Sequence, residues 1–294
     1  MQPKDGLILL DKPAGVTSFG ALSSVKQGLN TQKVGHTGTL DRFAEGLLIV
    51  LTGRLTRLAS HLLLLDKVYV ATVLFGLETD TLDPEGSVCR RGDVPDLDRI
   101  AQALGGFKGE ISQIPPDYSA VHVKGKRAYR LAREGAEVTI APRRVFVHGI
   151  DILGYDPPEL ELRRRCSKGT YVRSIARDLG REAGTCAYLS ALRRVAIGTF
   201  HLRDAVRPAD FDPSIHIQRP MEFVNQISSL EAKRIRSDAI CGIRHGTPLR
   251  DTMFEDPPGS DGEFALFDRE DELLAVSRRT SGRYKYLAVF TEAV

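Results

Sequence analysis

Two residues far apart in the chain, Asp41 and Arg173, have types and settings that suit catalysis. Asp41 ends the glycine- and threonine-rich segment KVGHTGTLD, residues 33–41. A positioned aspartate can act as a nucleophile, although an aspartate after Gly-Thr-Leu is more commonly a turn residue. Arg173 falls near the third position of a predicted helix capped by Thr170, where the helix dipole disfavours a cation. A nearby acidic partner would explain its position, and a solvated surface arginine is the alternative.

Two further candidates, Tyr69 and His36, are an aromatic residue on a strand and a histidine between small residues. Residues 67–75 alternate and are rich in β-branched side chains, so Tyr69 and Lys67 should share one face of a strand. A core tyrosine would show the same pattern. His36 lies between Gly35 and Thr37, where small residues permit close approach of a ligand, although a lone histidine is usually structural.

Composition describes a globular protein of ordinary type. The chain has 294 residues, 42% hydrophobic and 27% charged, which suits one large domain or two unequal ones. The first residues contain no long apolar run, so we expect a cytoplasmic protein with no membrane segment. The four cysteines stand singly, which argues against a zinc ribbon or a disulfide framework.

Charge is distributed unevenly. The net charge is only +3, but residues 118–144 contain seven basic side chains and two acidic ones. Residues 229–294 contain ten basic and twelve acidic side chains. Any polyanion should therefore bind the first two-thirds of the chain.

Hydrophobic periodicity predicts an alternation of strands and helices. Strands are predicted at residues 6–10, 47–51, 67–75 and 159–166. Helices are predicted from the spacing of Phe19, Leu22, Val25 and Leu29, of Leu55, Leu58, Ala59, Leu62 and Leu65, and of Val172, Ile175, Ala176 and Leu179. Residues 207–229 lose this periodicity and are predicted as a linker, and short apolar runs beyond them predict a small β-rich domain. The spacing alone does not distinguish α/β from α+β.

The segment around Asp41 closely resembles the catalytic motif of the TruB-type tRNA pseudouridine-55 synthases. Other stretches match that family in the same order: residues 6–18, 67–71, 76–86, 113–120, 125–129 and 166–180. The resemblance covers nearly all of residues 6–200. In the tail, Ile240, Gly246 and Leu249 look like the family's C-terminal PUA or PUA-like module.

This resemblance implies an α+β fold in two parts. The first is a mixed or antiparallel-sheet pseudouridine synthase catalytic domain over residues 1–228, with an RNA-binding loop at about 115–147. The second is a small β-rich PUA-like RNA-binding domain over residues 229–294. A monomer is the default expectation.

The resemblance also assigns roles to residues. Asp41 would be the nucleophile that isomerises the uridine at position 55 in the T-arm loop of tRNA, Arg173 its ion-pair partner, and Tyr69 the residue that stacks on uracil. The base must first be flipped out of the loop, and His36 would insert into the space. Substrate contacts would come from six more residues: Lys12, Lys67, Tyr171, Leu192, Arg127 and Tyr129. The implied partner is the T-arm stem-loop, with no metal and no cofactor.

Two departures and three alternatives stay open. Arg42 stands where the family usually has proline, and residues 53–57 read Gly-Arg-Leu-Thr-Arg instead of Gly-x-Ala-Thr-Lys. The alternatives are a catalytically silent RNA-folding module, a related synthase or guide-RNA-dependent enzyme for other RNAs, and a metal-dependent nuclease using Asp80, Asp83 and Glu85. Attack at the sugar, addition to the base and abstraction of a sugar proton are equally compatible with Asp41.

Overall fold

The computed structural model describes residues 5–119, 121–123, 125–134 and 139–290. Lys124 and residues 135–138, which belong to the predicted RNA-binding loop, lie outside the described residues. The strands, in chain order, are β1 (Gly6–Lys12), β2 (Val34–His36), β3 (Glu45–Thr52), β4 (Lys67–Phe75), β5 (Leu77–Thr79), β6 (Val88–Arg91), β7 (Gly109–Gln113), β8 (His122–Val123), β9 (Lys126–Arg127), β10 (Arg143–Asp156), β11 (Glu159–Cys166), β12 (Ala187–Ile197), β13 (Phe200–His201), β14 (Glu231–Arg234), β15 (Gly262–Phe267), β16 (Leu273–Thr280) and β17 (Arg283–Val289).

The helices are short, and several are single 3₁₀ turns. The α-helices are α1 (Ser23–Gly28), α2 (Ala59–Leu63), α3 (Leu97–Leu104), α4 (Ala128–Arg133), α5 (Val172–Glu182), α6 (Pro220–Phe223) and α7 (Ile240–Arg244). The 3₁₀ turns are Gly20–Leu22, Gly53–Leu58, Gly105–Phe107, Leu202–Asp204, Pro208–Asp210, Val224–Gln226, Ser237–Ala239 and Asp251–Met253. No helix in the described ranges is both long and apolar enough to cross a membrane.

One mixed sheet forms the body of the catalytic part. Within the described residues it contains nine strands, in the order β1-β3-β12-β4-β11-β10-β7, with β2 beside β3 and β13 beside β12. Strands β3 and β12 pair in parallel, whereas β12, β4, β11 and β10 pair antiparallel in turn. Helices α3 and α5 bury their apolar faces in the same cluster as β4, β11 and β12. The predicted α+β fold is confirmed.

Strand β4 has the bounds predicted from its alternation. Lys67, Tyr69, Ala71, Val73 and Phe75 are buried, and the residues between them are half-buried. Because successive side chains of a strand point to opposite faces, the sequence pattern directly reports which face meets the core. Tyr69 and Lys67 therefore do share one face.

The C-terminal segment forms a second sheet. Strands β14, β15, β16 and β17 pair in that order, which confirms the β-rich prediction and is consistent with a PUA-like domain. One apolar cluster contains side chains from both sheets, including Leu47 and Ile49 of β3 on one side and Phe267 and Val276 on the other. The two parts of the chain are thus packed against each other, and the boundary at residue 228 stays a prediction.

The segment predicted as a linker lies along the first strand. Val206 exchanges backbone hydrogen bonds with Leu9 and Asp11, and Gln218 exchanges two with Leu7. Phe223 and Val224 are fully buried in the cluster shared by the two sheets. The periodicity fades because this stretch covers one edge of the sheet through short turns rather than long elements.

Two helix predictions need correction. The first helical segment is a 3₁₀ turn followed by α1, and it buries Leu22, Val25 and Leu29 but leaves Phe19 67% exposed. Helix α5 begins after Tyr171, so Thr170 is not its cap. The Thr170 hydroxyl instead donates to the Ser167 carbonyl oxygen, 2.9 Å away, within the preceding turn. A threonine hydroxyl that bonds to the turn is not available to cap the helix.

Candidate active site

A cleft of about 740 Å³ gathers most of the predicted site residues. Residues from the loop before β3, from the buried face of β4, from β12 and from the start of α5 line its walls. The predicted residues in the lining are His36, Asp41, Lys67, Tyr69, Tyr129, Tyr171, Arg173 and Leu192. Lys12 and Arg127 do not line the cleft. Predicted residues as far apart in sequence as His36 and Leu192 therefore share one surface.

The loop that presents Asp41 is anchored from below. The Ser18 hydroxyl donates to the Leu40 carbonyl oxygen at 2.9 Å and accepts from the Leu40 amide at 2.8 Å. The fully buried Lys12 donates from Nζ to the Val16 carbonyl oxygen at 2.6 Å and the Pro13 carbonyl oxygen at 3.0 Å. Lys12 thus holds the adjoining turn rather than facing the cleft.

Arg173 joins the Asp41 carboxylate to a second acid. Its Nε lies 2.9 Å from Asp41 Oδ2, its Nη2 donates to Asp41 Oδ1 at 3.2 Å, and its Nη1 lies 3.2 Å from Asp83 Oδ2. The same guanidinium donates to the carbonyl oxygens of Thr81 and Tyr118 at 2.9 and 3.0 Å. An arginine fork held at this many points fixes the orientation of the aspartate.

The charge of Asp41 depends on this arrangement. Burial raises the pKa of Asp41 above its ordinary value and the neighbouring Asp83 raises it further, while the Arg173 guanidinium opposes both effects. The Asp41 side chain remains 37% exposed, so a ligand in the cleft can reach it. Arg173 therefore favours the ionised carboxylate in surroundings that disfavour a charge.

Replacing Asp83 with asparagine should move the acidic limb of the pH–rate profile to lower pH. The substitution removes the negative charge that raises the pKa of Asp41, so the reactive carboxylate survives further into acid. The test is kcat/KM measured against pH. Asp80→Asn is the matched control, because Asp80 lies in the same loop but its carboxylate accepts from the Ser87 amide and does not line the cleft. An unchanged limb in Asp83→Asn would exclude this coupling.

The sequence predicts Asp83 only as a candidate metal ligand. It lies in the connection between β5 and β6, which pair as the predicted hairpin. Its side chain is buried, and besides Arg173 it accepts from the Thr81 hydroxyl at 2.6 Å and the Glu85 amide at 3.0 Å. Among the described residues no three His, Cys, Asp or Glu side chains are grouped as a metal site would need. The sequence signal that could have indicated a buried acid was the group of three acidic residues in one turn, Asp80, Asp83 and Glu85.

Tyr69 lies between two buried arginines. In the strand register Arg164 of β11 and Arg194 of β12 are its direct neighbours on either side. Burial raises the pKa of the Tyr69 hydroxyl, so it stays protonated at neutral pH and can donate a hydrogen bond. Tyr69 thus contributes an aromatic ring and a protonated phenol to the lining of the cleft that also contains Asp41.

Arg194 was a second residue missed from the sequence. Its Nε donates to the Leu47 carbonyl oxygen at 2.7 Å and its Nη2 to the Gly38 carbonyl oxygen at 3.1 Å, which ties β12 to the loop before Asp41. Gly46 permits the backbone of β12 to lie close to β3, because a Cβ at Gly46 would lie 2.4 Å from the Arg194 carbonyl oxygen. Arg194 is two residues beyond Leu192, so strand alternation was the signal that both face the cleft.

The two arginines should respond oppositely to substitution by methionine. Arg164 is 1% exposed and its guanidinium nitrogens have no hydrogen-bond partner in the described part of the chain. Arg164→Met should leave the free energy of unfolding unchanged or raise it by up to about 4 kcal/mol, because a buried uncompensated charge is removed. Arg194→Met should lower it by about 1–3 kcal/mol, because two carbonyl oxygens lose their donor. Urea unfolding measures both, and equal destabilisation would contradict this distinction.

His36 and Lys67 complete the walls. Burial and the nearby Arg194 lower the pKa of His36, so its ring is neutral at physiological pH. Lys67 donates from Nζ to the carbonyl oxygens of Leu63 and Leu65 at 2.7 and 2.5 Å, and burial lowers its pKa to about 8. Lys67 therefore satisfies carbonyl oxygens at the C-terminal end of α2, and its side chain also lines the cleft.

The lysine- and arginine-rich residues 118–144 adjoin the cleft. Strands β8 and β9 form a small hairpin that leads into α4, which carries Tyr129 into the lining. Arg127 is exposed on this hairpin, outside the lining.

The start of α5 is tied to β7, because the Gln113 side chain donates to the Tyr171 carbonyl oxygen and accepts from its amide, at 3.0 and 2.8 Å.

The departures from the family motif have defined contacts. Arg42 donates from Nε to the Gly15 carbonyl oxygen at 2.9 Å, and the Gly15 amide donates back to the Arg42 carbonyl oxygen at 2.8 Å. Arg54 and Arg57 donate to the carbonyl oxygens of Phe290 and Val289 at 3.0 and 2.7 Å. Arg42 thus braces the Asp41 loop, and the other two arginines connect the sheets.

Comparison with known proteins finds relatives over nearly the whole chain. The family model described as TruB family pseudouridylate synthase (N terminal domain) matches residues 26–172. "tRNA pseudouridine synthase B" of Borreliella afzelii (strain PKo) is 41% identical over 292 residues, covering 98% of this chain and 100% of that protein. The protein of the same name in Dehalococcoides mccartyi is 38% identical and covers 97% of this chain and 96% of its own length.

Solved structures show the same fold. The crystal structure of a Cbf5-Nop10-Gar1 complex superposes with a TM-score of 0.72 at 28% identity, covering 99% of this chain and 84% of that one. A structure of an H/ACA RNP bound to a substrate RNA containing 2′-deoxyuridine gives 0.73 at 25% identity, covering 98% and 85%.

The fold, the Asp41–Arg173 pair and these matches define the class of protein: this chain is a pseudouridine synthase, an isomerase that acts on RNA. More narrowly, the chain belongs to the TruB family of pseudouridylate synthases.

Proposed function

We propose that the protein converts the uridine at position 55, in the T-arm loop of tRNA, to pseudouridine. The observation that carries the proposal is the carboxylate of Asp41, held by Arg173 and exposed at the floor of a cleft that is also lined by Tyr69. Full-length relatives named tRNA pseudouridine synthase B support tRNA as the substrate.

The reaction is an isomerisation. The C1′–N1 bond of uridine breaks, the uracil turns, a C1′–C5 bond forms, the hydrogen on C5 leaves as a proton, and N1 gains a proton. No electrons enter or leave, so no redox cofactor is needed. Asp41 serves as an ionised carboxylate, whether it attacks C1′, adds to the uracil ring or removes a sugar proton, and each route needs the charge that Arg173 maintains.

Tyr69 and Leu192 hold the uracil in this mechanism. Both line the cleft, and both project from adjacent strands of the sheet, whose packing leaves them little freedom. The aromatic ring supports the flat base by stacking, and its protonated hydroxyl is available to the base as it turns. Tyr171, Lys67 and Tyr129 bound the space in which it rotates.

The target uridine must leave the folded T-loop before Asp41 can reach it. His36, neutral and placed on the cleft wall, fills the space that the flipped base vacates. Exposed basic residues beside the cleft, including Lys126, Arg127 and Arg130, contact phosphates and give affinity that depends on salt. The C-terminal sheet acts as an RNA-binding domain, and the protein works as a monomer.

The test is to map pseudouridine at base resolution in an unmodified tRNA transcript after incubation with the purified protein. A single new site at position 55 is expected, and a transcript with cytidine at that position should gain none. A single site elsewhere would overturn the position but not the enzyme class. RNA binding without any pseudouridine would favour an RNA-folding protein instead.

A further inference from the structure

Phe19 is the apolar residue of the first predicted helix that the fold leaves in solvent. Its spacing with Leu22, Val25 and Leu29 predicts a core position, and those three are buried. Phe19 is instead 67% exposed and lines the mouth of the cleft that contains Asp41. Burial of an aromatic ring stabilises a protein by removing apolar surface from water. A ring exposed beside a ligand cleft gains that free energy only when a ligand covers it.

The backbone that carries Phe19 is hydrogen-bonded within its turn and linked to the loop that carries Asp41. The Thr17 hydroxyl accepts from the Gly20 amide at 3.0 Å, and the Phe19 carbonyl oxygen accepts from the Leu22 amide at 3.1 Å. The adjacent Ser18 is bonded twice to Leu40, the residue before Asp41. The ring is therefore presented at a set position relative to the reacting carboxylate.

One face of the ring is already occupied. Lys26, seven residues further along the chain, places its ammonium 4.1 Å from the ring centroid. A cation over one face holds the ring by a cation–π interaction and leaves the opposite face for a flat partner. The ammonium also adds positive charge next to that partner, which suits a nucleotide rather than an apolar peptide.

We propose that Phe19 and Lys26 form a stacking subsite for an unpaired base of the RNA loop other than the target uridine. This inference rests on the proposed function, because it presupposes an RNA loop in the cleft. Flipping the target base removes a stacking partner from its neighbours in the loop. An aromatic side chain at the cleft mouth can replace that partner, since every base has a face that stacks.

The experiment measures binding of an unmodified T-arm stem-loop by fluorescence anisotropy for four variants: Phe19→Ala, Phe19→Leu, Phe19→Trp and the control Ile215→Ala. Ile215 is 72% exposed and does not line the cleft. Phe19→Ala should weaken binding by about 5- to 150-fold, the range for one lost base–aromatic stack. Phe19→Trp should bind like wild type, whereas Phe19→Leu, which is apolar but has no aromatic face, should stay weak.

Stem-loops with an abasic site at each loop position, outside the target, identify the partner. At one position the abasic substitution and Phe19→Ala should not add, because both remove the same stack. Binding of Phe19→Ala equal to that of Ile215→Ala, or rescue by leucine as complete as by tryptophan, would overturn the subsite while leaving the proposed function intact. Failure of the wild type to bind the stem-loop would overturn both.

Discussion

Asp41→Asn is expected to abolish pseudouridine formation while leaving RNA binding nearly intact. Asparagine has the shape of aspartate but cannot carry the negative charge, so attack and proton abstraction are both lost. The rate should fall by about four orders of magnitude or more, as for removal of the nucleophile in other enzymes. The asparagine side chain can still accept from Arg173, which preserves the cleft.

Single-turnover assays with saturating tRNA measure this effect, because they separate the chemical step from binding and release. Anisotropy with the same RNA should show a dissociation constant within about threefold of wild type, well under 1 kcal/mol. Asp80→Asn, an acid-to-amide change in the same loop as Asp83, should keep full activity. A residual rate above about one hundredth of wild type in Asp41→Asn would show that another group performs the chemistry.

Arg173→Met is expected to damage both catalysis and stability. The substitution leaves Asp41 and the buried Asp83 close together without their shared counterion. Breaking a buried ion pair from one side costs about 3–5 kcal/mol of unfolding free energy, and we expect a loss in that range. The rate should fall by about 10²- to 10³-fold, as when one aligned electrostatic group is removed from an active site.

The pH dependence of Arg173 variants identifies the cause. Without the guanidinium the pKa of Asp41 rises further, so the acidic limb of kcat/KM should move to higher pH, opposite to the shift expected for Asp83→Asn. Arg173→Lys keeps the charge in case the methionine variant fails to fold, and it should be intermediate because one ammonium cannot make all five contacts. An Arg173→Lys profile with an unmoved limb and full rate would contradict the positioning role.

The double variant Arg173→Met with Asp83→Asn gives an internal control. Removing one of the two uncompensated carboxylates should recover part of the lost stability, as measured by urea unfolding. It should not recover the rate, because Asp41 still lacks the group that orients it. Equal recovery of rate and stability would mean that Arg173 acts only through folding.

Local patterns in the chain determined several elements without help from the fold. The alternation of residues 67–75 defined β4 and the face of Tyr69, and the uninterrupted apolar run 47–51 defined a strand buried on both faces. The motif around Asp41 identified the candidate nucleophile and its family. These features depend on neighbours within a few residues, so the chain itself contains the information.

Contacts between distant residues were decided only by the tertiary structure. Asp83 approaches Arg173 across 90 positions, and Arg194 reaches the Gly38 carbonyl oxygen across 156, so no local periodicity could report either contact. Phe19 shows that hydrophobic spacing can also predict burial for a residue that the fold leaves exposed. Its spacing equals that of its buried neighbours, and only the path of the 3₁₀ turn leaves it at the cleft mouth. Periodicity assigns a residue to a face, but the packing of distant elements decides whether that face is covered.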